Sequence, residues 1–467
     1  MNEARPTLPA PPRRARRAAA ALALAAAAGS AQATDVFRLE GFGAVSRSMG
    51  GVATAQDVGP AGMMTNPATL SLLQAGHTLM GGLDLVTTDI EVQDQATGAR
   101  VSSGHHGSNR GPYVAPELAY AQRVGAWTFG VGAFAQGGLG TEYGSSSFLS
   151  RATGGLDTGL DNSSRLLVLN IPLAASFKVN EALTVGAGID AMWQGLNLNL
   201  LLGADQVGSL IGASRVSGAL LPVLGGLPDL RGAHFSLTRN SPLASGINAW
   251  GHAERIGMTY QLRPDTRLGA AFTTRSHMAD MEGRATLTAV DGVAGQIPLN
   301  GNLKIRDFQM PAVLNLGVSH TVSERLQVAA DLSRVFWSRV MKDIKVGFVS
   351  DGGGDLNILL PQDYKDQNVL AVGAAYQWDT RWTWRGGFRI ADQALRGSTL
   401  FAVIPATPRK HLSAGFGYAV SPTASVDLAW SHAFREHLDN TSLPNTSAPI
   451  GVNHAQDNAT IAFTWRF

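Results

Sequence analysis

The residue types that most often carry enzyme chemistry occur in this sequence in patterns that do not form a catalytic site. The 467 residues include no cysteine, which excludes thiolate chemistry, disulfides and Cys-based zinc sites. The chain also has no G-x-S-x-G motif, the turn that presents a serine nucleophile. The glycine pairs that begin at Gly130, Gly186 and Gly415 lack the third glycine and the following helix of a nucleotide-binding loop. We therefore predict a protein that is not an enzyme, with no catalytic residue, no metal and no cofactor.

The first 33 residues have the composition of a secretory signal peptide. A basic stretch is followed by the Ala/Leu-rich residues 18–28, and Ala31-Gln32-Ala33 has the small-residue pattern of a cleavage site. A basic arm that binds nucleic acid would not need the apolar stretch. The segment holds five of the 37 basic and one of the 35 acidic residues, so its removal changes the net charge from +2 to −2. We predict residues 1–33 as a signal peptide and no nucleic-acid partner.

The mature chain alternates apolar and polar residues with a period of two, which is typical of β-strands. In the clearest segment, 183–194, Val185 and Ile189 share one face while Thr184 and Asp190 share the other. The mean hydropathy of +0.03 does not exclude a membrane protein, because a β-barrel hides its lipid face by alternation. Fourteen segments read as strands, near 77–92, 115–123, 126–137, 165–179, 182–196, 246–262, 265–279, 302–320, 325–337, 366–378, 381–393, 409–419, 423–435 and 458–467.

The connections between these segments are short at one end and long at the other. Six tight turns are predicted, near 123–125, 180–181, 263–264, 322–324, 379–380 and 421–422. The long connections are 93–114, 138–164, 197–245, 280–301, 338–365, 394–408 and 436–457. Sorting of this kind, with an even strand count, is the pattern of a bacterial outer-membrane barrel. We predict an all-β fold, a 14-stranded antiparallel transmembrane β-barrel over residues 77–467.

The C-terminal strand carries a second signature of this class. Ile461, Phe463 and Trp465 fall on the predicted lipid face, and the chain ends in Phe467. A terminal aromatic residue resembles the signal read by the outer-membrane barrel assembly machinery, which we predict as a partner through Phe467. The predicted location is the outer membrane of a Gram-negative bacterium.

Residues 34–76 precede the first strand and differ from it in character. The stretch 39–73 is glycine-rich and lacks strand periodicity, yet it contains Phe42 and other apolar side chains that a flexible linker does not need. A fourteen-stranded barrel is too wide for its own side chains to fill. We therefore predict a small N-terminal hatch inside the lumen. Asn66-Pro67-Ala68 is a good helix start, because Asn caps free N–H groups and Pro loses no needed donor.

This layout resembles the FadL family of outer-membrane transporters for long-chain fatty acids and other hydrophobic compounds, including aromatic hydrocarbons. The resemblance rests on the glycine-rich segment ending in Asn66-Pro67-Ala68, the strand count, the terminal Phe467 and the stretch 138–143. That stretch reads Gly-Leu-Gly-Thr-Glu-Tyr, which is similar to the family's Gly-Leu-Ala-Thr-Glu-Phe. The resemblance implies passive transport of a hydrophobic small molecule by a monomer in contact with outer-membrane lipid and lipopolysaccharide.

The resemblance also implies a gate. In the family, the third strand is kinked inward and opens a gap in the barrel wall beside the hatch. Gly137, Gly138 and Gly140 lie at this place here, and glycines permit a bulge where strand pairing is interrupted. A hatch rearrangement near residues 66–68 would then open a sideways path into the bilayer. The plainer alternative is a strand that ends at its loop.

The connection 197–245 is more apolar than a water-facing loop should be, and apolar patches of this kind usually mark binding surfaces. The resemblance implies a hydrophobic capture loop, although a loop that buries its own leucines has the same composition. The residues assigned to the capture loop are Leu200, Leu201, Leu202, Leu210, Ile211, Leu220, Leu221 and Leu224. Two alternative functions stay open at this point, a general porin for small polar solutes and an outer-membrane lipid hydrolase.

Overall fold

A computed structural model describes residues 36–104, 113–237, 246–442 and 449–467. The predicted signal peptide, 1–33, lies outside the described residues, and so do residues 34 and 35 of the predicted hatch. Across the described ranges, none of the helices is both long and apolar enough to cross a membrane.

The described residues form one antiparallel sheet of 23 strands that closes on itself, together with a separate two-stranded ribbon. The strands are β1 (Gly76–Val86), β2 (Asp89–Asp94), β3 (Arg100–Gly104), β4 (Tyr113–Val124), β5 (Trp127–Gly144), β6 (Arg151–Ala152), β7 (Leu156–Asp157), β8 (Asn162–Lys178), β9 (Leu183–Gly203), β10 (Val216–Ser217), β11 (Leu230–Leu237), β12 (Ile247–Arg263), β13 (Thr266–Thr273), β14 (His277–Met278), β15 (Met281–Asp291), β16 (Gly295–Arg306), β17 (Val313–Ser323), β18 (Leu326–Val335), β19 (Asp343–Ser350), β20 (Asp355–Pro361), β21 (Gln367–Gln377), β22 (Trp382–Ala391), β23 (Lys410–Ser421), β24 (Ala424–Asn440) and β25 (Ile450–Arg466). The α-helices are α1 (Gly43–Ser48), α2 (Ala204–Gly212) and α3 (Leu220–Gly225), and short 3-10 helices span Pro60–Met64, Pro67–Leu72, Phe148–Ser150, Thr153–Gly155, Trp337–Arg339 and Gly397–Thr399.

The wall of the barrel closes where its first and last long strands pair. Thr78 of β1 lies opposite Arg466 of β25, and the other edge of β1 pairs with β4. On β25, Ile461, Phe463 and Trp465 are exposed while the residues between them turn inward. The alternation predicted for the C-terminal strand is confirmed, and it places the aromatic side chains on the outer face near the short turns.

The six predicted tight turns are all present, and they lie at one end of the wall. They join β4 to β5, β8 to β9, β12 to β13, β17 to β18, β21 to β22 and β23 to β24. In β9, Val185 and Ile189 are exposed whereas Thr184 and Asp190 are buried, so the predicted faces of this strand are confirmed as well. Local alternation therefore identified the strands that these turns join.

The predicted count of fourteen strands is wrong, because the closed barrel contains sixteen. In its outer half, β11 and β15 are inserted between β9 and β12. β11 pairs with β9 on one side and with β15 on the other, and β15 reaches β12 where Glu282 lies opposite Asn248. Nearer the short turns, β9 and β12 pair directly, from Leu196 opposite Ile247 to Leu183 opposite Tyr260.

The additional strands were missed because they lie in segments interpreted as loops, namely 197–245, 280–301 and 338–365. Their exposed faces carry charged side chains such as Glu282 and Arg284 instead of the apolar residues of a lipid-facing strand. The predicted strand 302–320 is in fact two strands, β16 and β17. Asp307, with a φ of +54°, lies between them and ends the first.

The N-terminal segment, defined here as residues 36–75, lies within the circuit of strands. Helix α1 lies against β22 to β25, whereas the 3-10 helix at 67–72 lies against β5, β8, β9 and β12 on the other side. Phe42 and Leu70 of this segment are buried in one apolar cluster with Phe134 of the wall. A larger apolar cluster fills the space between the outer strands.

Candidate functional site

Arg47 of helix α1 is the centre of a buried charge cluster that joins the N-terminal segment to the wall. Its guanidinium lies 2.8 Å from the carboxylate of Asp84 on β1, 3.4 Å from Glu40 and 3.9 Å from Glu117 on β4. The backbone N–H of Gly43 donates to both oxygens of Glu117, at 3.1 and 3.0 Å. One cation thus faces three carboxylates at a site closed to water, so each partner depends on the others.

Glu40 is the member of this cluster that belongs to the N-terminal segment. Burial by itself would raise the pKa of Glu40, but Arg47, His411 and the hydroxyl of Ser431 outweigh it and lower the pKa to about 2. Ser431 donates to the Glu40 carboxylate at 2.6 Å. The ionised form of Glu40 therefore stabilises the packing of the N-terminal segment against β24.

We expect the stabilisation by Glu40 to be complete above pH 4.5, its ordinary pKa, and to be lost as the pH falls toward 2. The shift corresponds to a stabilisation on the order of 3 kcal/mol. Hydrogen–deuterium exchange of residues 40–48 in wild-type protein and in Glu40→Gln, measured from pH 7 to pH 3, tests this. The difference between the two proteins should shrink at the acidic end. A difference that stays constant would contradict the role of the Glu40 charge.

Two further contacts hold the segment at other points of the wall. The carboxylate of Asp331 on β18 accepts hydrogen bonds from the backbone N–H groups of Ala53 and Thr54, at 2.8 and 2.9 Å, and from the Thr54 hydroxyl at 2.7 Å. Arg255 on β12 donates to the carbonyl of Met63 at 2.6 Å and to the carboxylate of Asp190 at 2.6 Å. Polar side chains of the wall thus bind backbone groups of an irregular segment that has no ladder of its own.

Asn66, Pro67 and Ala68, the predicted hatch contact, begin the 3-10 helix as their sequence indicates. The Asn66 side chain accepts a hydrogen bond from the N–H of Ala68 at 3.0 Å, and Pro67 occupies the first helical position. The same side chain donates to the carbonyl of Met258 at 3.0 Å. A Cβ on Gly257 would collide with the side-chain oxygen Oδ1 of Asn66. Residues 66–68 therefore lie against the wall at β9 and β12. Gly137, Gly138 and Gly140, the glycines of the predicted kink, lie elsewhere, on β5.

Those glycines, Gly137, Gly138 and Gly140, lie in β5 next to a break in its register. A bulge separates Ala135 from Gly137, and Gly137 forms an isolated bridge with Arg38 of the N-terminal segment. The N–H of Gly138 donates to the Phe37 carbonyl at 2.9 Å. A side chain at Gly137 would overlap that carbonyl, so the close approach requires glycine at this position.

The edge of β5 that faces β4 is free of β4 pairing beyond this point. β4 and β5 pair from Val124 opposite Trp127 up to Glu117 opposite Phe134, whereas β5 continues to pair with β8 as far as Gly144. Residues 37–39 lie against the edge that β4 has left. Their position at this edge was not predicted. The short alternation of Phe37, Arg38 and Leu39 was the available signal, and it was obscured by the glycine-rich stretch that follows.

The described part of the predicted capture loop 197–245, residues 197–237, contains regular secondary structure, and residues 238–245 lie outside the described residues. β9 continues to Gly203, and the helices α2 and α3 and the strands β10 and β11 follow. Leu202, Leu210 and Leu220 are buried in the outer apolar cluster, Leu221 and Leu224 pack against it, and Ile211 is exposed.

A cavity of about 390 Å³ lies between these outer elements. Of the predicted leucines, Leu200 and Leu201 line it. Other apolar lining comes from Phe148, Leu149, Phe401 and Ile450, and Arg151, Asp94 and Asp205 add charged groups. The cavity is therefore lined by both apolar and charged residues.

Three basic residues in the predicted long connections 197–245 and 338–365 are engaged in ion pairs. Arg215 pairs with Asp343 at 2.7 Å, Arg231 with Asp229 at 2.8 Å and Lys345 with Asp307 at 2.9 Å. Their charges are balanced within the outer strands.

The sequence matches the family described as outer membrane protein transport protein (OMPP1/FadL/TodX) over residues 19–460. Outer membrane protein P1 of Haemophilus influenzae is 26% identical over 384 residues, 79% of each chain. The long-chain fatty acid transport protein of Salmonella typhi is 25% identical over 307 residues, 63% of each chain. Among solved structures, the toluene transporter TbuX of Ralstonia pickettii is 47% identical, with a TM-score of 0.79, and covers 92% of this chain and 99% of its own. The toluene transporter TodX of P. putida is 39% identical, with a TM-score of 0.82 and the same coverage.

Proposed function

We propose that this protein, which belongs to the outer membrane protein transport family of FadL and TodX, passes monoaromatic hydrocarbons across the outer membrane without an energy source. The choice of substrate rests on the sequence identity of this chain to two toluene transporters. The two toluene transporters share 47% and 39% of their residues with this chain, against 25% for a long-chain fatty acid transport protein.

The proposed route begins at the outer cavity lined by Leu200 and Leu201 and ends at the edge of β5 that β4 leaves and residues 37–39 cover. The substrate leaves water for apolar contacts in the cavity, at roughly 25 cal/mol for each Å² of apolar surface buried. It then displaces residues 37–39 from Gly137 and Gly138 and moves sideways into the bilayer. An aqueous exit would oppose this partition, whereas the bilayer favours it.

In this proposal the N-terminal segment acts as the hatch that was predicted over residues 34–76. The apolar outer elements act as the capture surface. Residues 66–68 anchor the hatch to β9 and β12, and residues 37–39 are its moving part. The chain works as a monomer among outer-membrane lipid and lipopolysaccharide, and Phe467 is the signal for the barrel assembly machinery. The exposed aromatic side chains of β25 support contact with lipid.

Uptake of radiolabelled toluene by cells that express the protein tests the proposal. We expect faster uptake than in the same strain without the protein, and no change in uptake of labelled palmitate. In planar bilayers we expect little ion conductance, because the N-terminal segment fills the interior of the wall. A large and steady conductance would point to a general porin, and palmitate uptake without toluene uptake would overturn the choice of substrate.

The cavity itself is tested by Leu201→Asn. The substitution replaces apolar lining with an amide, and we expect the toluene concentration for half-maximal uptake to rise about tenfold, a change of ~1.4 kcal/mol. Val223→Asn is the matched control, since Val223 belongs to the same predicted loop but is 63% exposed and does not line the cavity. Equal effects of the two substitutions would remove the cavity from the route.

A further inference from the structure

Two histidines and a glutamate meet on the outer face of the wall. His252 and Glu254 lie on β12 and face outward, since their neighbours Ala253 and Arg255 are buried. His277 lies on β14 directly opposite His252 in the antiparallel pairing. The two histidines are far apart along the chain, so their spacing in the sequence does not indicate a site.

The polar atoms of these side chains are close enough to share one ion. The two imidazole rings are stacked, with centroids 5.2 Å apart and planes at 19°. Nε2 of His252 lies 3.4 Å from Oε1 of Glu254. One ligand atom from each side chain lies within 4.8 Å of the other two. Small side-chain rotations would place each of these atoms ~2.0–2.2 Å from a shared zinc ion, which is the distance that zinc ligands require.

The neighbouring residue Thr274 holds the glutamate in position. The hydroxyl of Thr274 donates to Oε2 of Glu254 at 2.7 Å, which leaves Oε1 directed toward His252. The backbone N–H of Thr274 also donates to the backbone carbonyl of Glu254, at 2.9 Å, which holds Thr274 beside β12. Hydrogen bonds of this kind orient ligands in known metal sites.

The cluster lies near the outer edge of the membrane. From Tyr260, beside a short turn, to His252 the strand runs about 26 Å at ~3.3 Å per residue. With the strand tilted by about 40°, this length corresponds to about 20 Å along the membrane normal. The apolar band of an outer-membrane barrel is about 25 Å tall. Trp250, the next outward-facing residue, is 58% exposed, as expected for an aromatic residue at the interface. The side chains of His252 and Glu254 are 50% and 44% exposed on the outer face of the wall.

We propose that His252, Glu254 and His277 form a binding site for a divalent transition-metal ion of the zinc class. Two imidazoles and one carboxylate suit zinc, copper and nickel, whereas calcium and magnesium require oxygen ligands. Three protein ligands leave one position of a tetrahedral ion for water. The site is separate from the proposed transport route, because it lies on the lipid side of the wall.

Isothermal titration of metal-stripped, detergent-solubilised protein with ZnCl₂ tests the proposal, with a purification tag that contains no histidine. We expect one tight site in the wild-type protein and an affinity at least on the order of 100-fold lower in His277→Asn, because a ligand is lost. Co²⁺ should give the absorption bands of a tetrahedral ion in the wild-type protein, and these bands should disappear in the variant. Thr274→Val, which removes only the hydroxyl that donates to Oε2 of Glu254, should weaken binding roughly tenfold.

His432→Asn is the matched control. His432 is another outward-facing histidine, 2.9 Å from Asp457, and its loss should leave zinc affinity unchanged. The double substitution of His105 and His106, which lie outside the described residues, tests whether these two histidines contribute to zinc binding. An unchanged zinc affinity in His277→Asn, or absence of tight binding in the wild-type protein, would overturn the site. A heat-modifiability gel confirms that each variant is folded.

Discussion

Oxidation of a Leu39→Cys/Gln136→Cys variant is expected to stop toluene uptake, and a reductant is expected to restore it. The N–H of Leu39 donates to the Gln136 carbonyl at 3.1 Å, so the two residues lie opposite one another in the pairing around Gly137. Opposite residues in antiparallel strands have Cα atoms about 5.5 Å apart, within the range that a disulfide spans. The bond would hold residues 37–39 against β5 and keep the proposed exit closed.

The natural chain contains no cysteine, so the double variant has one possible disulfide. Each single-cysteine variant is a control and should transport toluene equally well under oxidising and reducing conditions. Mass spectrometry establishes that the bond has formed. Wild-type uptake by the fully oxidised protein would show that residues 37–39 are not the moving part of the hatch.

Arg47→Met is expected to release the N-terminal segment from the wall. The substitution leaves Glu40, Asp84 and Glu117 buried without their cation, and loss of one partner from a buried ion pair costs about 3–5 kcal/mol. We expect amide exchange across residues 43–60 to accelerate roughly a hundred- to a thousandfold. Ion conductance in planar bilayers should rise as well, because the interior of the wall is no longer filled.

Arg334→Met is the matched control for the loss of a charge. Arg334 pairs with Asp366 at 3.2 Å but is 41% exposed, and exposed pairs contribute about 1 kcal/mol or less. The double substitution Arg47→Met/Asp84→Asn should recover part of the protection, since one uncompensated carboxylate is removed. Equal exchange in Arg47→Met and the wild-type protein would contradict a role for this cluster in docking.

The wall was predictable because its signals are local. Alternation with a period of two places Val185 and Ile189 of β9 on one face in any strand, whatever the rest of the chain does. The tight turns, the outward aromatic residues of β25 and the family resemblance depend on short stretches in the same way. The strand count depends on more, because β11 and β15 enter the circuit through long-range pairing and β15 carries charged residues on an exposed face.

The sequence by itself determined an outer-membrane barrel with a glycine-rich, apolar segment ahead of its first strand, because composition and periodicity are properties of neighbouring residues. Only the tertiary structure decided that residues 37–39, and not 66–68, lie at Gly137, and that Arg47 meets Asp84 and Glu117. It also brought His277 opposite His252. These contacts join residues from distant parts of the chain, and closure of the wall brings them together at distances that spacing in the sequence does not encode.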